Sequence, residues 1–357
     1  MQVLDYLYKY QNVTFKETPF NEVDALILAM VSYCPFDDMQ ADKKIISSHE
    51  MFKKINAYEP PRNTPERKLK YIEVAKTVCR SSRFKNAKFA FFRKKRDENR
   101  AKQFQAITII LKEFAFISFC GTDSTTLGWK EDFDMAYLEM VPSEVEAIKY
   151  ANEVASSLLS KKIYIGGHSK GGRLATSAAK GLKKKKKLLG IYAFDAPNFP
   201  SSCYDASYKE IDKLIKAYTP DESIIGRLMS EYRHKTIIAS SNALLMQHDA
   251  FSWLLMEHSF EHKQKYTERS NRIVDTINYA LNNYDEERKR DFIDTIFDFL
   301  NRLNVEKLPN EKDFLPFLLS TVPFVKEEWK NTSKEKRALV KKMLFDVAKD
   351  YLLKKRD

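Results

Sequence analysis

Glycine is scarce in this chain, nine in 357 residues, beside 12 prolines. That excludes a collagen-like, linker-rich or low-complexity architecture. Cysteine is scarcer still. Cys34, Cys79, Cys120 and Cys203 stand far apart, with no CxxC pair. The pattern fits neither a disulfide scaffold nor a cysteine-rich zinc site, and it points to a reducing compartment. No apolar run approaches the ~18–20 residues needed to cross a bilayer. Residues 1–11 lack the basic and apolar regions of a secretory signal. A cytoplasmic globular protein is the expectation. What the chain does have is 43% hydrophobic and 31% charged residues, enough for one large domain with an appendage, or for two domains.

The net charge of +12 is local. Arg80 to Lys112 holds eleven Lys or Arg against two acids, and Lys183 to Lys187 adds five more positive charges, so the rest of the chain is slightly acidic. A basic patch says more about partners than a mean charge does. An anionic surface is the contact the 80–112 hairpin invites, with a solvated hairpin as the plain alternative. Zinc-finger spacing and an RNA-binding aromatic signature are absent from the sequence, so nucleic acid is not expected.

Along the chain, Asn21 to Cys34 reads as an apolar helix opened by an Asn cap. Residues 64–84 read as a second helix, with Thr64 as cap and Pro65 at its first position. The period then changes. KFAFFRKKR, KQFQAITIIL and EFAFISF, over about 88–119, are Phe- and Ile-rich runs split by DENRA and KE, the pattern of antiparallel strands. Ser143 and Glu146 form a capping-box pattern ahead of a helix reaching about Leu159. Strands are expected at 162–167, 190–196 and 235–241, with a helix at 171–182, so 140–250 alternates as an α/β sheet with crossovers. Beyond Lys263 only helical spacing remains, at 264–283, 285–303, 311–321 and 332–354, the last with Thr332 and Glu335 as a second capping box. The division expected is 1–263 and a helical appendage or cap at 264–357.

The sharpest local signal is Gly166-Gly167-His168-Ser169-Lys170-Gly171-Gly172, a G-x-S-x-G with Ser169 central between a strand and a helix. Four of the nine glycines fall in these seven residues. A chain that reverses sharply from strand to helix with a nucleophile at its apex needs small flanking residues. The competing reading is an inert turn or a phosphate loop, but the GK[ST] end of a P-loop and a GxGxxG are both missing.

A serine nucleophile needs a base, and the base needs an orienting acid. His168 flanks Ser169 directly and should point away from its Oγ. His49 precedes the core, and His258 and His262 open the helical tail, which leaves His234 and His248. His248, in MQHDAFSW, is the chosen base. For the acid, Asp221 in TPDESIIG is preferred and Asp195, closing IYAFDA, is the rival. Either gives the order Ser…Asp…His of α/β-hydrolases.

The strings ISFCGTDSTTLGWKEDFDM, GGHSKGGRLA, AFDAPN, TPDESIIG and QHDAFSW together resemble the class 3 lipases over about residues 20–260. More closely, they resemble a bacterial branch of α/β-hydrolase-like proteins known only as a domain of unknown function. The resemblance implies a mostly parallel α/β-hydrolase sheet with antiparallel N-terminal strands. It also implies an oxyanion hole formed by the backbone N–H groups of Thr122, after Gly121, and Lys170. Trp129 and Asp132 echo the aromatic and acidic residues that follow that strand. Three departures stand out: Cys120 where arginine is common, Lys170 where leucine is usual, and Asp195 at the glycine of Gly-Ala-Pro. The last strengthens Asp195 as the rival, with Asp221 still the preferred acid.

The expected function is a serine hydrolase cleaving carboxylic, acyl or lipid-like esters through an acyl-enzyme, with no metal and no cofactor. The alternative is a catalytically silent hydrolase scaffold that binds a protein or an anionic membrane. The elbow helix should carry Lys183–Lys187 to the edge of the sheet opposite Ser169, about 18 Å away at 1.5 Å per residue.

Overall fold

The computed structural model describes residues 1–39, 45–229, 234–302 and 333–353. Eight strands form one sheet in sequence order: β1 (Ile45–Ser47), β2 (Lys88–Asp97), β3 (Lys102–Ile110), β4 (Phe114–Phe119), β5 (Lys162–His168), β6 (Leu188–Phe194), β7 (Ile215–Pro220) and β8 (Lys235–Ile238). The first four pair antiparallel; β4 to β8 pair parallel. The change of sense falls where the sequence switches from short-turn strands to strand–helix alternation, because parallel neighbours need a crossover and antiparallel ones only a turn. β4 is buried at every position, as a central strand covered on both faces must be.

Helices cover both faces. α1 (Val3–Tyr10), α2 (Glu22–Val31), α3 (Ser48–Ala57) and α4 (Glu66–Arg80) belong to the core cluster that includes Phe116 and Tyr192. α2 is buried along almost its whole length and is capped by Asn21, whose side chain accepts from the N–H groups of Val23 and Asp24. After β4 come α5 (Thr126–Asp134) and α6 (Pro142–Ser157), and after β5 comes α7 (Lys170–Lys180). α6 and α7 pack on the other face around Ile117, Ile165 and Leu174. A single turn, α8 (Ala206–Lys209), precedes β7.

Two caps differ from expectation. Pro65, not Thr64, stands at the cap of α4, and Pro65 itself lies outside the helix. α6 begins at Pro142, so Ser143 is already helical and its hydroxyl finds no partner. Glu144 instead accepts from the Val141 N–H at 2.9 Å, while Glu146 turns to Arg93 and Lys95.

The tail forms α9 (Glu268–Asn283), α10 (Glu286–Arg302) and a last helix, Lys334–Leu353. Ser333 caps that helix through the Lys336 N–H at 3.2 Å; Thr332 and the helix expected at 311–321 lie outside the described residues. The tail does not stand apart. Ile293 and Phe297 of α10 pack on Trp129 of α5 and on Tyr137 just beyond it, and Lys130 pairs with Asp294 at 2.9 Å. Among the described residues no helix is long and apolar enough to cross a membrane, and the four cysteines are buried and unpaired.

Candidate active site

Ser169 sits between β5 and α7 with φ +59°, a left-handed backbone that a non-glycine residue adopts only under local constraint. Its N–H donates to Phe194 O at 2.8 Å, pinning the apex to the end of β6. The glycines around it are there for contact. A Cβ on Gly167 would lie 2.3 Å from the Gly171 carbonyl carbon, and one on Gly171 would lie 2.2 Å from Phe119 O. Helix and strand therefore close to a distance only glycine permits.

His248 belongs to a short 3-10 turn, Leu244–His248, that crosses the same edge of the sheet. Its Nε2 lies 2.9 Å from Ser169 Oγ. Its Nδ1 lies 2.6 Å from Asp195 Oδ2. Asp195 follows β6 directly, is wholly buried, and has φ +43°. Its second oxygen accepts the Ser223 hydroxyl at 2.5 Å. The carboxylate is therefore held at both oxygens and cannot rotate away from the imidazole.

Asp221, preferred from the sequence, is not the partner of His248. It ends the next strand over, β7, where its Oδ1 accepts from Gln247 Nε2 at 3.1 Å. The base arrives over β6, the strand beside the elbow, so the carboxylate at the end of β6 is the one in reach. Asp221 still acts on the base's loop, since it anchors the residue immediately before His248. His234, the other histidine left open, is exposed and lies 3.8 Å from Asp212, which precedes β7 at the far end of the sheet.

His168 points away from Ser169, as its place beside the apex requires. Its Nε2 donates to the His248 carbonyl at 2.8 Å, and its Nδ1 lies 3.1 Å from the Tyr33 hydroxyl. Burial, reinforced by the neighbouring His248, holds its pKa well below 6.5. This neutral imidazole fastens the backbone of the base.

Gly121 and Thr122 follow β4, which pairs with β5 through Phe119 and Gly167. They therefore stand beside the elbow, and Gly121 is packed so closely that a Cβ there would meet the Tyr33 hydroxyl at 2.1 Å. The Thr122 hydroxyl donates to Asp132 Oδ2. Lys170 opens α7, so its N–H has no intrahelical acceptor.

The Lys170 side chain was legible only as a departure from leucine. It is fully buried, and its ammonium donates to Gln103 O at 3.0 Å, Gln103 Oε1 at 2.5 Å and Glu131 Oε2 at 3.1 Å. Burial alone would lower its pKa, but Glu131 and Asp132 raise it above the ordinary value. Asp132 Oδ1 lies 3.9 Å from the same ammonium. Burial pushes the Asp132 carboxyl up to about 6, against the pull of Lys170 and Thr122. One buried cation thus ties the residue after the nucleophile to the helix that carries the partner of Thr122.

The basic hairpin reaches this edge with its charges largely engaged. Arg93 pairs with Glu153 at 2.7 Å, Lys94 with Asp37 at 2.6 Å, Lys95 with Glu146 at 2.8 Å and Arg96 with Asp123 at 3.6 Å.

Among solved structures, the chain is similar to the lipase from Rhizopus microsporus var. chinensis, at 14% identity and a TM-score of 0.40 over 62% of this chain and 75% of that one. It is similar to a Rhizomucor miehei lipase propeptide complex, at 12% identity and a TM-score of 0.41 over 66% and 77%. M37 lipase gives 14% identity and a TM-score of 0.37 over 58% and 70%. No curated protein sequence matches. The sequence profile of the Mbeg1-like family matches residues 78–298, a span that takes in Ser169, Asp195 and His248 and runs through most of α10. With more than half of its length matched, the chain belongs to the Mbeg1-like family.

Proposed function

We propose that the protein is a serine hydrolase that cleaves carboxylic esters of acyl or lipid-like type through an acyl-enzyme. The observation that carries this reading is His248, with one ring nitrogen on Ser169 Oγ and the other on Asp195. With the proton on Nδ1 donated to Asp195, Nε2 is free to accept the Ser169 proton. Oγ then attacks the ester carbonyl carbon, and the carbonyl electrons move to oxygen. In this reading the Lys170 and Thr122 N–H groups donate to that oxygen, and each such donor is worth about 3 kcal/mol. Collapse of the adduct breaks the carbon–oxygen bond of the leaving group, which takes the proton back from Nε2. Water repeats the sequence, with His248 as base, and releases the acid.

The Asp195 carboxylate orients the imidazole and offsets the positive charge it gains.

The test is labelling of the purified protein with a fluorophosphonate, which traps an activated serine. Labelling is expected in the parent and absent in Ser169→Ala and His248→Ala. A folded parent that stays unlabelled would favour the silent-scaffold reading, and labelling that survives Ser169→Ala would move the nucleophile elsewhere.

A further inference from the structure

Every strand of a parallel sheet enters at the same edge. The turn before β4 (111–113) and the connections before β5 (158–161), β6 (181–187) and β7 (210–214) therefore gather at one end of the molecule. That end lies about 20 Å from Ser169, at ~3.3 Å per residue along β5. Cross-loop bonds confirm the gathering. Lys161 Nζ donates to Leu111 O at 2.9 Å, Lys162 Nζ to Lys186 O at 2.8 Å, and Lys187 Nζ to Leu158 O at 2.5 Å.

The edge is strongly basic. Lys112, Lys161, Lys162, Lys183 to Lys187 and Lys213 stand there against Glu113, Glu210 and Asp212, a net of +6. Lys185 is engaged by Glu210, but Lys112, Lys162, Lys183, Lys184, Lys186 and Lys213 are exposed. Partial burial, together with the charges of Lys184 and Lys162, pushes the Lys187 pKa down. The loops also present bare aliphatic surface. Leu159 is 72% exposed in the turn before β5, and Leu189, bulged out of the β5–β6 register, is 40% exposed.

The residue types narrow the partner. The four connections 111–113, 158–161, 181–187 and 210–214 contain no arginine and no aromatic residue. Single-stranded nucleic acid is held by stacking on aromatic rings, and bidentate phosphate recognition uses the guanidinium fork. Lysine point charges around an exposed leucine suit a layer of anionic headgroups, which attracts clustered lysines and takes an aliphatic side chain at its boundary.

We propose that this lysine-rich edge is a peripheral docking surface for an anionic phospholipid bilayer, with Leu159 entering the headgroup boundary. Docked this way, the protein turns Ser169 away from the bilayer. The candidate site then faces the aqueous phase and takes its ester from there.

The experiment is co-sedimentation of the full chain with vesicles of phosphatidylcholine alone, or of phosphatidylcholine with phosphatidylglycerol, at low and high salt. Binding is expected only to the anionic vesicles, and it should weaken with salt. Lys183→Glu/Lys184→Glu/Lys186→Glu, three exposed positions, should weaken it about a hundredfold or more, at roughly fivefold per neutralised lysine. Leu159→Ser should weaken it without changing the salt dependence. Both variants should keep the parent's melting temperature and fluorophosphonate labelling, so failure here is distinguishable from failure of the hydrolase reading. Equal binding to neutral vesicles, no binding to anionic ones, or undiminished binding by either variant would overturn the proposal. So would lysine-dependent retention of nucleic acid by a protein that ignores vesicles.

Discussion

Asp195 Oδ2 and His248 Nδ1 lie 2.6 Å apart, although 53 residues separate them in the chain. Asp195 closes β6 and Asp221 closes β7, two adjacent parallel strands. Replacing each in turn separates their roles. Asp195→Asn leaves the shape but presents an amide to the imidazole, and kcat on a chromogenic ester should fall about 10⁴-fold. Asp221→Asn keeps an oxygen for Gln247 and should stay within about tenfold of the parent. The reverse ranking would reinstate Asp221.

Gly226 is a second test of that carboxylate. A Cβ there would lie 2.2 Å from Asp195 Oδ1 and 3.0 Å from Thr219 Cγ2. Gly226→Ala must displace the carboxylate or the loop. Overpacking of this kind costs about 1–3 kcal/mol, and an ångström of misplacement costs about 10²-fold in rate. Steady-state kinetics should show the loss in kcat, with KM little changed.

How much of this could be read in the sequence depended on whether position follows from local chemistry. The elbow was legible because its glycines answer a steric need within seven residues. The passage from antiparallel to parallel strands was legible from the Phe- and Ile-rich runs at 88–119 giving way to strand–helix alternation over 140–250. The choice of acid was not, since both aspartates give the order Ser…Asp…His, and only the path of the loop carrying His248 decides between them. The burial of the Lys170 side chain was not legible: a lysine suggests solvent, and nothing nearby announces that Glu131 and Gln103, 39 and 67 residues away, converge on it. The hairpin's excess charge likewise looked available, yet its partners Asp37, Glu146 and Glu153 lie in other elements.

Lys170→Met tests the buried cluster. It leaves Glu131 charged and without its cation in the interior, and breaking a buried pair from one side costs about 3–5 kcal/mol. Glu131 also accepts the N–H groups of Gln103 and Ser143 at 3.0 and 2.8 Å, so it cannot simply be made apolar. Lys170→Met with Glu131→Gln keeps an acceptor, removes the charge, and should recover part of the loss. Urea unfolding of the two variants measures the difference.

His168 sets a pH dependence of stability. Its folded pKa is depressed by burial, while the unfolded chain titrates near 6.5. Between the folded value and 6.5 the unfolded state binds more protons, so stability rises with pH there and is lost as pH falls below 6.5. The slope from this one group is at most about 1.4 kcal/mol per pH unit. Unfolding curves at pH 7 and pH 5 should show it, and His168→Gln, which retains a donor toward the His248 carbonyl, should flatten it.

The Tyr33–His168 contact bears on what counts as the smallest foldable unit. The family profile begins at residue 78, but Tyr33 comes from before it. So do α2, which covers one face of the sheet, and Asp24, whose carboxylate meets buried Arg83 at 2.5 Å. A fragment trimmed to the recognisable segment would bare that face, strand the Arg83 guanidinium and untie the histidine behind the base. Shared ancestry is legible in one stretch of the chain; cooperativity reaches back to its first helices.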